Sequence, residues 1–132
     1  MLSHVYIGIN HFEPALVFYS ALMEAVGARQ RFVDASKPWA AWQPAEGPRP
    51  LLVIGAPYDG HAAASGNGQM VSLMATSRDM VDRAHAAACA HGGLCEGAPG
   101  LRPQYHADYY GAYFRDPEGN KLGVVCHDAL PA

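Results

Sequence analysis

The chain has 132 residues, half of them hydrophobic and 16% charged, with a net charge of −3. That length suits one domain with a sizeable core, and that composition belongs to a globular rather than a disordered chain. An acidic balance without a basic stripe argues against a nucleic-acid partner, and no apolar run approaches the ~20 residues of a membrane span.

The opening MLSHVYIGIN lacks the charged region and cleavage site of a signal peptide. Residues 3–9 alternate: Val5, Ile7 and Ile9 point one way, and His4, Tyr6 and Gly8 the other. That is the pattern of a half-buried strand. Asn10, three before Glu13, has capping-box spacing, and Pro14 falls in a first turn where its missing N–H costs little. Phe12, Leu16, Tyr19, Met23 and Val26 then recur at helical spacing, and Gly27 is a C-terminal stop. Three short strands are predicted over 29–34, 39–43 and 51–55, separated by Lys37-Pro38 and by Glu46-Gly47-Pro48-Arg49-Pro50. Residues 56–68, rich in Gly and Ala, read as a loop joining two halves.

The pattern then restarts. Residues 69–75 alternate, with Met70, Ser72 and Met74 on one face. Thr76, three before Asp79, has the spacing of a second cap, and Met80, Ala84, Ala87, Ala88 and His91 continue as a helix that Gly92-Gly93 stops. Residues 94–98 read as a short strand broken by Pro99-Gly100. The stretch from Tyr105 to His127 reads as a hairpin: an aromatic first strand, a turn at Arg115-Asp116-Pro117-Glu118-Gly119-Asn120, and a second strand, Leu122-Gly123-Val124-Val125-Cys126. A shift of 66 lays His4 on Met70, Val5 on Val71, Ile7 on Leu73 and Gly27 on Gly93, so a duplicated strand–helix–three-strand unit is expected.

Three features resemble the vicinal oxygen chelate superfamily, which includes glyoxalase I, the bleomycin resistance proteins and extradiol dioxygenases. They are the SHVYIGIN strand with His4, the Phe18-Tyr19 pair, and FRDPEGNKLGVVCH at 114–127. The resemblance implies an α+β fold of two βαβββ modules whose curled mixed sheets form an incomplete barrel around a cleft. Module one would span 1–56, the linker 57–68 and module two 69–128. It also implies a homodimer. The superfamily's chemistry usually rests on a divalent metal with open positions for two substrate oxygens. Of the four ligand positions carried over, only His4 keeps a ligand; the others fall on Met70, on Gly123 and on the apolar strand 51–55. One imidazole does not hold a catalytic metal. The chain thus resembles the metal-free, cleft-binding mode of the bleomycin-resistance branch more than the metalloenzymes.

The candidate ligand-binding residues are His4, Tyr6, Trp39, Trp42, Met70, Tyr105, His106, Tyr109, Tyr110, Tyr113, Lys121 and Gly123. His4 is either a strand histidine bonded to a neighbour, a metal ligand or an acid/base contact. Four tyrosines within nine residues offer flat apolar bodies with polar tips, suited to an aromatic ligand or to packing at a dimer seam. Trp39 and Trp42 must point to opposite sheet faces, so one is core and the other a wall. His106 and Asp108, two apart on a strand, would make a proton-transfer pair or a solvated edge pair. His85 and Cys89, at i and i+4, have a spacing that binds a metal or activates a thiol, or they coincide on a helix surface. Cys126 and His127 face opposite ways. Lys121 would meet an anionic ligand or sit on the rim, and Gly123 would leave space. Arg102 and Arg115 read as surface charges. The three cysteines, odd in number and without a metal motif, fit reduced thiols in a cytoplasm.

These readings give a small aromatic or amphipathic molecule as ligand, no cofactor, no nucleic-acid or membrane partner, and a homodimer. The alternative is an enzyme of the same superfamily: a lyase, isomerase or dioxygenase using Mn, Fe, Ni or Zn, or a metal-free acid/base catalyst using His4, His106 or a tyrosine.

Overall fold

Alternation in the strands and 3.6-residue spacing in the helices each give one apolar face, and those faces meet. The computed structural model describes residues 1–131. Within them the chain forms β1 (His4–Gly8), α1 (Phe12–Ala25), β2 (Arg29–Asp34), β3 (Trp39–Gln43), β4 (Leu51–Gly55), β5 (Val71–Met74), α2 (Arg78–Ala90), β6 (Leu94–Leu101), β7 (Tyr110–Arg115) and β8 (Lys121–Cys126). The strands make two four-stranded sheets ordered β1-β4-β3-β2 and β5-β8-β7-β6. In each, the first strand lies parallel to the last and the other pairs are antiparallel. This is the expected α+β pair of βαβββ modules. The two helices start 66 residues apart, the shift read from the sequence.

One core joins both modules. Ile7, Ile54 and Trp42 from the first sheet and Phe114, Leu122 and Val124 from the second share a cluster with Phe18, Tyr19 and Leu22 of α1 and Val81, Ala84 and Ala88 of α2. Phe18 meets Phe114 of the other module edge-on at 6.2 Å. Each large apolar side chain buried this way contributes about 1.5–3 kcal/mol, so neither module keeps a full core alone.

The Asp-Pro-Glu-Gly-Asn turn is the second joint. Asp116, almost fully buried, accepts hydrogen bonds from Tyr19 Oη at 2.7 Å, from the N–H groups of Glu118 and Asn120 at 2.9 Å, and from Asn120 Nδ2 at 2.8 Å. Gly119 sits at φ +93°, a conformation only glycine takes freely. Glu118 then reaches module one: its carboxylate accepts from Asn10 N–H at 2.6 and 2.7 Å and from His11 N–H at 2.7 Å. A carboxylate there also suits the positive end of the α1 dipole.

That contact corrects the expected Asn10–Glu13 capping box. The N-cap of α1 is His11, with no side-chain cap of its own. Asn10 instead exchanges two bonds with Ala63 in the linker. The second cap is also displaced, from Thr76 to Ser77, whose Oγ accepts from Met80 N–H at 3.0 Å. Pro99-Gly100 does not break β6, which runs on to Leu101 with two register shifts against β7. An edge strand with bulges tolerates a proline. The aromatic run is not all strand: β7 begins at Tyr110, and residues 102–109 fold into turns.

Candidate functional site

Sheet two places its chemistry on the face away from the helices. Ala112, Phe114, Leu122 and Val124 point into the core, so alternation sends Gly111, Tyr113 and Arg115 of β7 and Lys121, Gly123 and Val125 of β8 to the concave side. Tyr113 is paired with Gly97 on one side and Gly123 on the other. A Cβ at Gly97 would lie 3.1 Å from its ring, and one at Gly123 would lie 3.2 Å from it. The two glycines therefore form a trough for this ring. The space expected at Gly123 is filled, by Tyr113 and by Ser72 Oγ.

Turns over 102–109 fold back across this face. Arg102 N–H donates to Tyr109 C=O at 2.8 Å, closing the loop, and Tyr109 N–H donates to His106 C=O at 3.2 Å. The Tyr105 and Tyr109 rings lie 4.8 Å apart, and the Tyr109 and Tyr113 hydroxyls are hydrogen-bonded at 2.7 Å. His106 Nε2 meets His127 Nδ1 at 2.8 Å, with the imidazoles stacked, and both rings stand edge-on to Tyr109. That imidazole bond needs one N–H and one lone pair. These side chains, with Met70, Glu96 and Lys121, line an open pocket of about 480 Å³.

The pocket floor carries charge. Glu96 accepts from Arg115 Nε at 2.6 Å and lies 3.8 Å from Lys121 Nζ. The Arg115 hydrogen bond holds the Glu96 carboxyl below its usual range. One carboxylate thus faces two cations. Lys121 and Arg102 also approach the Tyr113 ring, at 5.8 and 5.6 Å from its centroid. Burial, then the Tyr109 hydrogen bond, push the Tyr113 phenol up to about 12, so at neutral pH it keeps its proton. Arg102 and Arg115 are accordingly part of the site's support, and not the plain surface charges the sequence suggested. Arg115 additionally donates to Gly119 C=O at 2.8 Å.

Of the expected residues, the pocket brings together Met70, Tyr105, His106, Tyr109, Tyr113 and Lys121. Tyr6 lines an adjoining hollow of about 320 Å³, which shares Met70 and Lys121 with the pocket. Its hydroxyl donates to Ala56 C=O at 2.6 Å. Four candidates, Trp42, Trp39, Tyr110 and His4, are corrected to positions outside the pocket. Trp42 is buried in the core against Tyr19, and Trp39 belongs to the concave face of sheet one, packed on Phe32 at 4.7 Å. Tyr110 faces α2, where its hydroxyl donates to Asp82 at 2.7 Å and raises its own pKa. His4 lines neither hollow, and its Nδ1 is 3.0 Å from Ser3 Oγ. His106 and Asp108 make no imidazole–carboxylate pair: Asp108 bonds His106 through its backbone N–H, and its carboxylate lies 3.8 Å from Arg78.

Two lining residues were missed. His127 is the next step in the series Lys121, Gly123, Val125, and Glu96 is the residue of β6 opposite in face to Cys95; plain alternation marks both.

The donor set does not fit the superfamily's metal. Its positions fall on exposed His4, on Met70, on Gly123 under the Tyr113 ring, and on β4, whose concave-facing residues are Leu51, Val53 and Gly55. Among the described residues no group of three or more His, Cys, Asp or Glu is arranged to hold a metal ion.

The model of the Glyoxalase/Bleomycin resistance protein/Dioxygenase superfamily matches residues 1–124. A glyoxalase/bleomycin resistance protein from Albidiferax ferrireducens T118 is 35% identical, with a TM-score of 0.85 over 96% of this chain and 98% of that one. A glyoxalase/bleomycin resistance protein/dioxygenase family enzyme from Burkholderia phytofirmans PsJN is 18% identical, with a TM-score of 0.71 over 96% and 98%. A putative glyoxalase from Bacillus halodurans is 20% identical, with a TM-score of 0.69 over 96% and 95%. These last two share the fold. No curated protein matches the chain. From its two modules, its docking turn and the match over 124 residues, the chain belongs to the Glyoxalase/Bleomycin resistance protein/Dioxygenase superfamily.

Proposed function

We propose that this protein binds a small aromatic or amphipathic molecule in the concave pocket of module two, without a catalytic metal. The observation that carries this reading is the open 480 Å³ pocket, walled by three tyrosines and two imidazoles with Lys121 at its floor. Aromatic walls with few polar tips suit a flat ligand. Tyr113, protonated at neutral pH, offers a hydrogen bond, and Lys121 favours a negative or electron-rich substituent. A second copy of the chain would cover the open side; exposed Met74, Leu101 and Tyr105 support a homodimer. Free thiols at all three cysteines support a reducing compartment such as the cytoplasm.

A second reading is metal-free acid/base chemistry, favoured by the hydrogen-bonded His106–His127 pair beside the phenols. Thermal-shift screening with aromatic acids, phenols and neutral aromatics tests binding. A ligand that raises Tm for the native chain but not for Tyr113→Ala supports the pocket; equal shifts in both refute it. Turnover of that ligand, lost in His106→Gln, would establish the second reading. Sedimentation equilibrium tests the dimer. Titration with Mn, Fe, Ni and Zn should give no stoichiometric binding; tight binding lost in His4→Ala would overturn the metal-free claim.

A further inference from the structure

A cluster on the opposite side of module two takes no part in the pocket. At the seam of α2 and β6, His85 Nε2 lies 3.1 Å from Cys95 Sγ and 3.7 Å from Cys89 Sγ. The sequence showed only His85 and Cys89 on one helix face; the fold adds Cys95 from the next strand. Both cysteines are exposed, whereas Cys126 is buried. The His85 ring is held in place by Phe114, edge-on at 6.2 Å.

We propose that His85, Cys89 and Cys95 form a thiol modification site that takes hydroperoxides and oxidises reversibly to a Cys89–Cys95 disulfide. Cys95 is the attacking thiol, because its sulfur lies nearest the imidazole. Burial lowers the pKa of His85, leaving a neutral ring whose lone pair can receive the thiol proton. The Cys95 sulfur attacks the distal peroxide oxygen; an S–O bond forms and the O–O bond breaks. The leaving alkoxide takes the proton from His85, giving a Cys95 sulfenic acid and an alcohol. Cys89 is the resolving thiol, since burial pushes its pKa up and disfavours its thiolate. Its sulfur then attacks the sulfenic sulfur; an S–S bond forms, the S–O bond breaks, and hydroxide leaves with the Cys89 proton as water. Two thiols have given two electrons to one hydroperoxide. A thiol pool reverses the step, so the site suits a reducing compartment.

The test is oxidation of the native protein with one equivalent of tert-butyl hydroperoxide, followed by alkylation and peptide mass analysis. The expected product is a linked Cys89–Cys95 peptide, two hydrogens lighter and reversed by dithiothreitol, with Cys126 still reduced. Cys89→Ser should stop Cys95 at the sulfenic acid, trapped by dimedone, and His85→Gln should slow Cys95 oxidation several-fold. Circular dichroism checks that each variant is folded. No linked peptide, over-oxidation of Cys95 while Cys89 is present, or an undiminished rate in His85→Gln would overturn the proposal.

Discussion

The two modules share one plan and use their concave faces differently. In module one, Ala41, Leu51 and Val53 are buried under Phe32 and Trp39, with Lys37 over the Trp39 ring at 5.2 Å. In module two the same face carries Gly97, Gly111 and Gly123, and the bulk comes from tyrosines and imidazoles that leave an open pocket. A curled sheet does not by itself make a binding site. Side-chain size at alternate positions decides whether the curl is filled or left open.

The helices differ in the same way. α2 is capped by its own Ser77, one turn away. α1 is capped by Glu118, 107 residues away from His11. Module one therefore depends on module two for its helix start, and the reverse does not hold.

The strongest way to break this asymmetry is Asp116→Ala, which strips the acceptor from Tyr19 and from the turn that aims Glu118. Removal of a buried, multiply bonded carboxylate is expected to cost about 3–5 kcal/mol, read by urea unfolding. Next, Glu118→Ala leaves two N–H groups at the start of α1 without that acceptor and should cost about 2 kcal/mol. Ser77→Ala, its local counterpart, should cost about 1 kcal/mol, and equal losses would deny the dependence of module one on the distant cap. Gly123→Ala puts a methyl against the Tyr113 ring and Ser72, at an expected cost of about 1–2 kcal/mol.

The smallest effect concerns alkaline stability. The Tyr113 pKa is raised on folding from 10.0 to about 12, so the unfolded chain loses this proton first. The contribution is complete below pH 10 and is lost as pH rises towards 12. Tyr113→Phe should flatten that decline in denaturant midpoint. It should do so only partly, because burial and Asp116 also raise the Tyr19 pKa.

Local physics made much of this legible. Period-two alternation marks β1 and β5, 3.6-residue spacing marks both helices, and breaker residues delimit the other strands; Gly27 and Gly92 stop the helices at positive φ. The Asp-Pro-Glu-Gly-Asn turn was visible as a turn, yet its reach to α1 was not, because a contact over 107 residues leaves no local pattern. The Asn10–Glu13 spacing imitated a cap that a stronger, distant carboxylate supplies. Tyr105, His106 and Tyr109 reach the pocket from turns and not from the strand that the aromatic run suggests. Tyr110 turns to α2 and away from the pocket because the strand begins there and alternation fixes its face. The gap at Gly123 could not be judged without knowing that Tyr113 lies across it.

The most direct test of the binding site is an amide and imidazole chemical-shift titration with a panel of aromatic acids, phenols and neutral aromatics. The account predicts shifts clustered at Glu96, Tyr105, His106, Tyr109, Tyr113, Lys121 and His127, on the concave face of module two. Shifts centred instead on Phe32, Trp39 and Val53, or none with any compound of the panel, would contradict it.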